Sequence, residues 1–183
     1  MEKLVSGNSK IRYYRSPKNL YVNGAWNKWV AMAKGKYVVI MNNDIIIRDP
    51  ASLLQKLIEP LQYIGNIMLT SPLYTIWVDP ETQSPKFYKG NRFNPNNICG
   101  HCFCMKKEDW IPIPEEMKIR CGDNWIYETI MRRWGLINDW CMWFIHHYES
   151  KTVNKNIKEI KQILDDDRYF YDTEAVALLR KIH

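Results

Sequence analysis

The apolar run Tyr37 to Met41 stops on two amides and a carboxylate, Asn42-Asn43-Asp44, and an apolar run of isoleucines resumes at once. A carboxylate flanked by amides offers hard oxygen ligands, which suit Mg2+ or Mn2+ bridging a diphosphate. The same tripeptide is good turn chemistry, so its composition leaves both readings open. A second carboxylate, Asp123, opens the stretch "GDNWIYETIMRRWG". It is either a helix N-cap or a general base that takes the proton of an acceptor hydroxyl. His146 and His147 end a late apolar run in "FIHHYESKT". A histidine pair serves structure, or a neutral imidazole from it completes a divalent metal's coordination.

Other chemistries find less support. Cys99, His101 and Cys102 in "CGHC" suggest zinc, but no second C-x-x-C follows to complete the paired knuckle of a structural zinc site. On a strand, Cys102 and Cys104 share a face, which suits packing. Neither G-x-G-x-x-G nor G-x-x-x-x-G-K-[ST] occurs, and there is no nucleophile elbow. A nucleic-acid reading draws on Lys106-Lys107, on Arg132-Arg133 and on the many Tyr and Trp. Most of those aromatics fall at core-facing spacing, so burial accounts for them better.

These residues need elements to carry them. "KIRYYRSP" (Lys10 to Pro17) predicts a short strand, and "NGAWNKWVAMAKG" a helix with Ala25, Trp26, Trp29, Val30 and Ala33 on one face and Gly35 as its stop. "KYVVIM" predicts a strand covered on both faces. A helix opens at Asp49-Pro50, and "NIMLTSPLY" repeats the pattern with another strand. Tyr74 to Asn97 reads as a long loop or short hairpin of functional character. "NICGHCFCM" is a strand, "DNWIYETIMRRWG" a helix and "LINDWCMWFIHHYES" a final strand. Two amphipathic helices, Asn154 to Asp165 and Asp172 to Ile182, follow as a C-terminal cap. Strand, helix and strand in succession predict an α/β fold with a mixed, mainly parallel sheet flanked by helices. The expected division is a core over 1–153 and a helical cap over 154–183. In such sheets ligands bind at the carboxyl ends of the strands, where Asn42 to Asp44 fall.

At 183 residues, 46% of them hydrophobic, the chain suffices for a single packed domain. No apolar run approaches the ~20 residues of a membrane helix, no secretory leader is visible, and the odd set of 5 Cys lacks disulfide spacing. A cytoplasmic setting with reduced thiols is the expectation. A net charge of +6 favours phosphate-bearing ligands.

Taken in order, "NGAWN", "NND", "GHCFCMKKEDW", "GDNW" and "HHYESKT" resemble the family 2 glycosyltransferases of GT-A fold over roughly Lys10 to Thr152. The resemblance implies transfer of a sugar from a nucleotide-diphosphate donor to a hydroxyl, with inversion and with Mn2+ or Mg2+. It implies Asp44 as the metal-diphosphate carboxylate, Asn42 and Asn43 as its polar neighbours, and Asn23 and Asn27 as further donor contacts. Asp123 becomes the catalytic base, and His147 the metal histidine, with His146 its alternative. The acceptor is left open among a glycan, a protein and a modified nucleic acid.

The chain also departs from the family pattern. Fewer than about ten residues precede "KIRYYRSP", where the family has a strand, a helix and a strand that hold the nucleotide base. An N-terminally truncated domain lacking that first β-α-β segment is expected. A partner chain, a reduced donor site and a binding-only fold are the competing explanations. A sheet edge left open this way predicts self-association or a partner there.

Overall fold

The computed structural model describes residues 8–43, 45–47, 50–65, 67–74, 86–90, 100–134, 137–147 and 158–182. Helix α1 (Tyr21–Met32) leads into β1 (Tyr37–Met41) and β2 (Ile45–Ile47), then α2 (Pro50–Tyr63) and β3 (Leu69–Tyr74). After β4 (Lys86–Gly90) and β5 (Cys102–Lys106), a single 3-10 turn and a long loop reach α3 (Gly122–Trp134) and β6 (Ile137–His147). The chain closes with α4 (Lys158–Phe170), a π-helical turn at Tyr171–Ala175 and α5 (Val176–Leu179).

The sheet runs in the order β1-β5-β3-β6-β2, with β4 also paired to β6. The class is mixed α/β, as expected, but the expectation of mainly parallel pairing is corrected. Among the described strands only β3 and β6 pair in parallel. β5 inserts antiparallel between β1 and β3, and both β2 and β4 meet β6 antiparallel.

β5 explains why "CFCM" is apolar at every position: it is central and covered on both faces. Cys102 and Cys104 face a cluster with Leu53, Leu57 and Leu61 of α2, each nearly inaccessible to water. Phe103 and Met105 face the opposite cluster, with Val30, Leu69, Ile126 and Ile130. Trp26 meets Phe103 edge to face at 5.6 Å, the arrangement that aligns a ring edge with a π face. Burying Phe103 stabilises the fold by about 2–3 kcal/mol on transfer area alone. Burial also decides the thiols: Cys104 is pushed up to about 12, opposed by its hydrogen bond with Thr70, so it is a packing group.

Two further expectations change. Lys10 to Pro17 forms no strand; its residues lie exposed along α1, where the Arg12 guanidinium reaches the Met32 carbonyl (3.4 Å) and Tyr14 packs edge-on against Trp29. Without a neighbouring strand to pair its backbone, the β-prone composition is not enough. The two C-terminal helices are one continuous run. Asp172, expected to cap a second helix, instead accepts from Arg168 one turn earlier at 2.8 Å, and the backbone stays helical through the π turn. Of the stretch Tyr74 to Asn97, only Tyr74 and β4 fall within the described residues.

Candidate functional site

The ladders bring the chemistry together. β1 ends at Met41, paired with Cys102, and the next peptide continues the contact: the Asn42 N–H donates to the His101 carbonyl at 2.8 Å. The Asn42 amide nitrogen lies 3.5 Å from Nδ1 of His101. Gly100, the chain neighbour of His101, lies against Asp123. A Cβ built on Gly100 would stand 2.7 Å from Asp123 Oδ2, closer than real Cβ atoms approach. The end of β1 and the start of α3 therefore meet across one turn.

Asp123 lies in the first turn of α3, one residue inside the helix start at Gly122. Its Oδ1 accepts the Asn124 N–H at 3.0 Å. Burial pushes its carboxyl above the usual carboxylate range, and the backbone N–H groups of Asn124 and of Asp123 itself only partly offset this. A carboxylate destabilised by burial is a stronger base than a solvated one. The residue before the helix is unusual too: Cys121 has φ 61°, in the left-handed region where a side chain is strained by roughly 1–3 kcal/mol. Its thiol is buried and pushed up to about 11, burial outweighing the lowering effect of Arg168.

Asn23 and Asn27 take a different place from the donor contacts expected of them. Asn27 donates to the Ile113 carbonyl (2.8 Å) and accepts from the Ile113 N–H (2.9 Å) and the Trp110 indole (3.3 Å). Asn23 is 1% exposed, and its amide donates to the carbonyls of Met117 and Arg120, both at 3.1 Å. The Asn27 amide and the Asn23 NH2 serve the loop between β5 and α3, which has no ladder to satisfy its backbone, while Asn23 Oδ1 is buried without a hydrogen-bond partner among the described residues.

Asn43 is exposed in the turn after β1, and Asp44 lies outside the described residues. Asp44's chain neighbour Ile45 pairs with His147, and Ile46 with His146, so the β2–β6 ladder sets the expected metal histidine alongside the residue next to Asp44. Among the described residues no three His, Cys, Asp or Glu side chains converge as a metal cluster, and Cys102 and Cys104 are wholly in the core. Gly100 and Gly122 were not singled out as site residues from the sequence, and His101 was weighed only as a zinc ligand. The signal was the glycine preceding each: Gly100 before His101, Gly122 before Asp123.

Comparison with known proteins bears on the family and the fold. The sequence model described as "Glycosyl transferase family 2" matches residues 1–129. No curated protein matches the chain. Two solved structures of glucosyl-3-phosphoglycerate synthase from Mycobacterium tuberculosis are similar in fold, with TM-score 0.53 at 15% identity. One holds Mn2+, UDP and glucosyl-3-phosphoglycerate, the other Mn2+, UDP-glucose and phosphoglyceric acid. The likeness covers 78% of this chain but 50% and 51% of those chains, so this sequence spans about half their length.

Proposed function

This chain belongs to glycosyl transferase family 2, and from that premise we propose that it moves a sugar from a nucleotide-diphosphate donor to an acceptor hydroxyl with inversion. The observation that carries the reading is Asp123: a part-buried carboxylate of raised pKa, held against Gly100 beside the polar end of β1. In this reading the ionised Asp123 takes the acceptor's proton. The freed oxygen attacks the anomeric carbon from the face opposite the diphosphate, whose carbon–oxygen bond breaks as the new bond forms. Asn42 and Asn43 then line the donor side at the end of β1.

A divalent cation fits the donor set, since the β2–β6 register brings a carboxylate's chain neighbour beside an imidazole-bearing residue, and oxygen with nitrogen ligands suits Mn2+. Asp44 and His147 would hold Mn2+ or Mg2+, with His146 the alternative, and the cation would supply charge neutralisation at the departing diphosphate. The Mn2+ and UDP of the similar structures support this choice.

Calorimetric titration with UDP, GDP and dTDP sugars, with and without Mn2+, tests the donor site. Metal-dependent binding of one nucleotide is expected, lost in Asp44→Ala and kept in Asp123→Asn. Asp123→Asn should lower transfer by about 10²–10⁴-fold, the usual contribution of a general base. Equal activity in both variants would overturn the assignment, and binding without transfer by the unaltered chain would mark a binding-only relative.

A further inference from the structure

The loop that delivers Asp123 is gripped from two sides. From one side comes Asn23 of α1, whose backbone N–H donates to the Lys118 carbonyl at 3.0 Å while its amide takes the carbonyls of Met117 and Arg120. From the other comes Asp167 of α4, 0% exposed, which receives three successive backbone N–H groups. Its Oδ1 accepts from Lys118 at 2.8 Å, and its Oδ2 from Ile119 at 2.6 Å and Arg120 at 2.7 Å. A carboxylate costs several kcal/mol to bury unless its lone pairs are filled, and here backbone donors fill them. The peptide is thus fixed by its N–H groups and its carbonyls at once, directly before the strained Cys121, the glycine at 122 and Asp123.

Asp167 lies beyond residue 129, where the family's sequence model stops matching. The same helical run makes two more contacts with this region. Arg168 hydrogen-bonds the Cys121 thiol, and Tyr171 donates its hydroxyl to Glu128 of α3 at 2.9 Å.

We infer that Asp167 is a positioning residue for the transfer reaction: by holding the backbone of residues 118–120 it sets the start of α3 and with it the place of the Asp123 carboxylate. The inference rests on the proposed role of Asp123, and its action runs through the backbone, with no contact between Asp167 and substrate. The chemistry of the replacement grades the effect. An asparagine keeps one acceptor and can serve Ile119 and Arg120 while its NH2 opposes the Lys118 N–H; an alanine serves none.

The test is Asp167→Asn and Asp167→Ala in the full chain, at a temperature where circular dichroism shows both folded. Turnover is measured together with amide hydrogen exchange resolved over residues 118–125. Misplacement of a reacting group by about 1 Å costs up to about 10²-fold, so Asp167→Ala should lose at least about tenfold in kcat with donor KM within about threefold. Asp167→Asn should fall between it and the parent. Exchange at 118–125 should speed up while the core strand β5 keeps its protection. Unchanged kcat in a folded Asp167→Ala, or faster exchange spread evenly through the core, would overturn the inference. Should neither variant fold, Tyr171→Phe decides. It removes only the hydroxyl bond to Glu128, and kcat reduced with local exchange raised supports the brace, while parental values of both overturn it. If the parent chain shows no turnover, the proposed function fails on its own, and local against even exchange still decides whether Asp167 positions α3.

Discussion

Asp123 joins a cost to a use. Its raised pKa means that the folded chain holds the carboxyl proton more tightly than the unfolded chain, whose aspartates titrate near about 3.9. The stability from that preference is complete below the unfolded value and is lost as pH rises through the folded one. Asp123→Asn, which carries no charge to bury, should therefore melt higher than the parent at neutral pH, with the advantage vanishing below about pH 4. Paired thermal melts across that range check it, and a lower melting temperature for the variant at pH 7 would contradict the burial. Activity has the opposite sense: only the ionised form accepts a proton, so kcat/KM should rise with pH through a midpoint above the ordinary carboxylate range. Gly100 sits on the same carboxylate. Gly100→Ala would bring a Cβ to 2.7 Å from Oδ2, and the side chain must swing away. The expected result is a kcat loss of about ten- to a hundredfold together with a lower melting temperature, because the added Cβ would also lie 3.3 Å from Cγ and 3.4 Å from Cβ of this buried side chain.

The start of α3 shows why this part of the site was hard to read from the sequence. "GDNW" announced a helix opening on a carboxylate, and the helix begins within one residue of that place. What holds it there comes from residues 23 and 167, and no local pattern joins those positions. The resemblance carried by "NGAWN" implied Asn23 and Asn27 as donor contacts, which asks for polar side chains at those positions. A backbone without a ladder makes the same demand, and the loop before α3 is such a backbone. Gly122 registers the fit: a Cβ there would run into Asn23 Oδ1 and lie 2.7 Å from its Cγ. Since Asn23 is buried and hydrogen-bonded, it cannot retreat, and Gly122→Ala should cost about 1–3 kcal/mol of stability by overpacking. Adding Asn23→Ala gives the clash room, so the double variant should cost less than the two single losses together. Additive losses in denaturant unfolding would show that the two residues do not press on each other.

Across the whole molecule, the legible part of the sheet was what burial imposes on a single strand. "YVVIM" and "CFCM" are apolar at consecutive positions, and both proved to be strands of the sheet, with β5 covered on either face. Strand direction was not legible, because apolar composition is the same for a strand running either way; β5 therefore entered antiparallel where parallel neighbours were expected. The expected strand at Lys10 to Pro17 failed for a related reason, since it needed a neighbour that the described chain does not give it. That leaves β1 at the end of the sheet, paired only with β5 among the described strands. An edge strand presents backbone donors and acceptors in a row and invites another strand. Met41, the last residue of β1, is 39% exposed. Concentration-dependent association through this edge is the expected behaviour, because the backbone groups of a bare edge are satisfied best by another backbone. Light scattering should show mass rising with concentration, and Met41→Lys, which sets a charge on the strand, should suppress the rise. A parent chain that stays monomeric at high concentration would show that the edge of β1 is already closed.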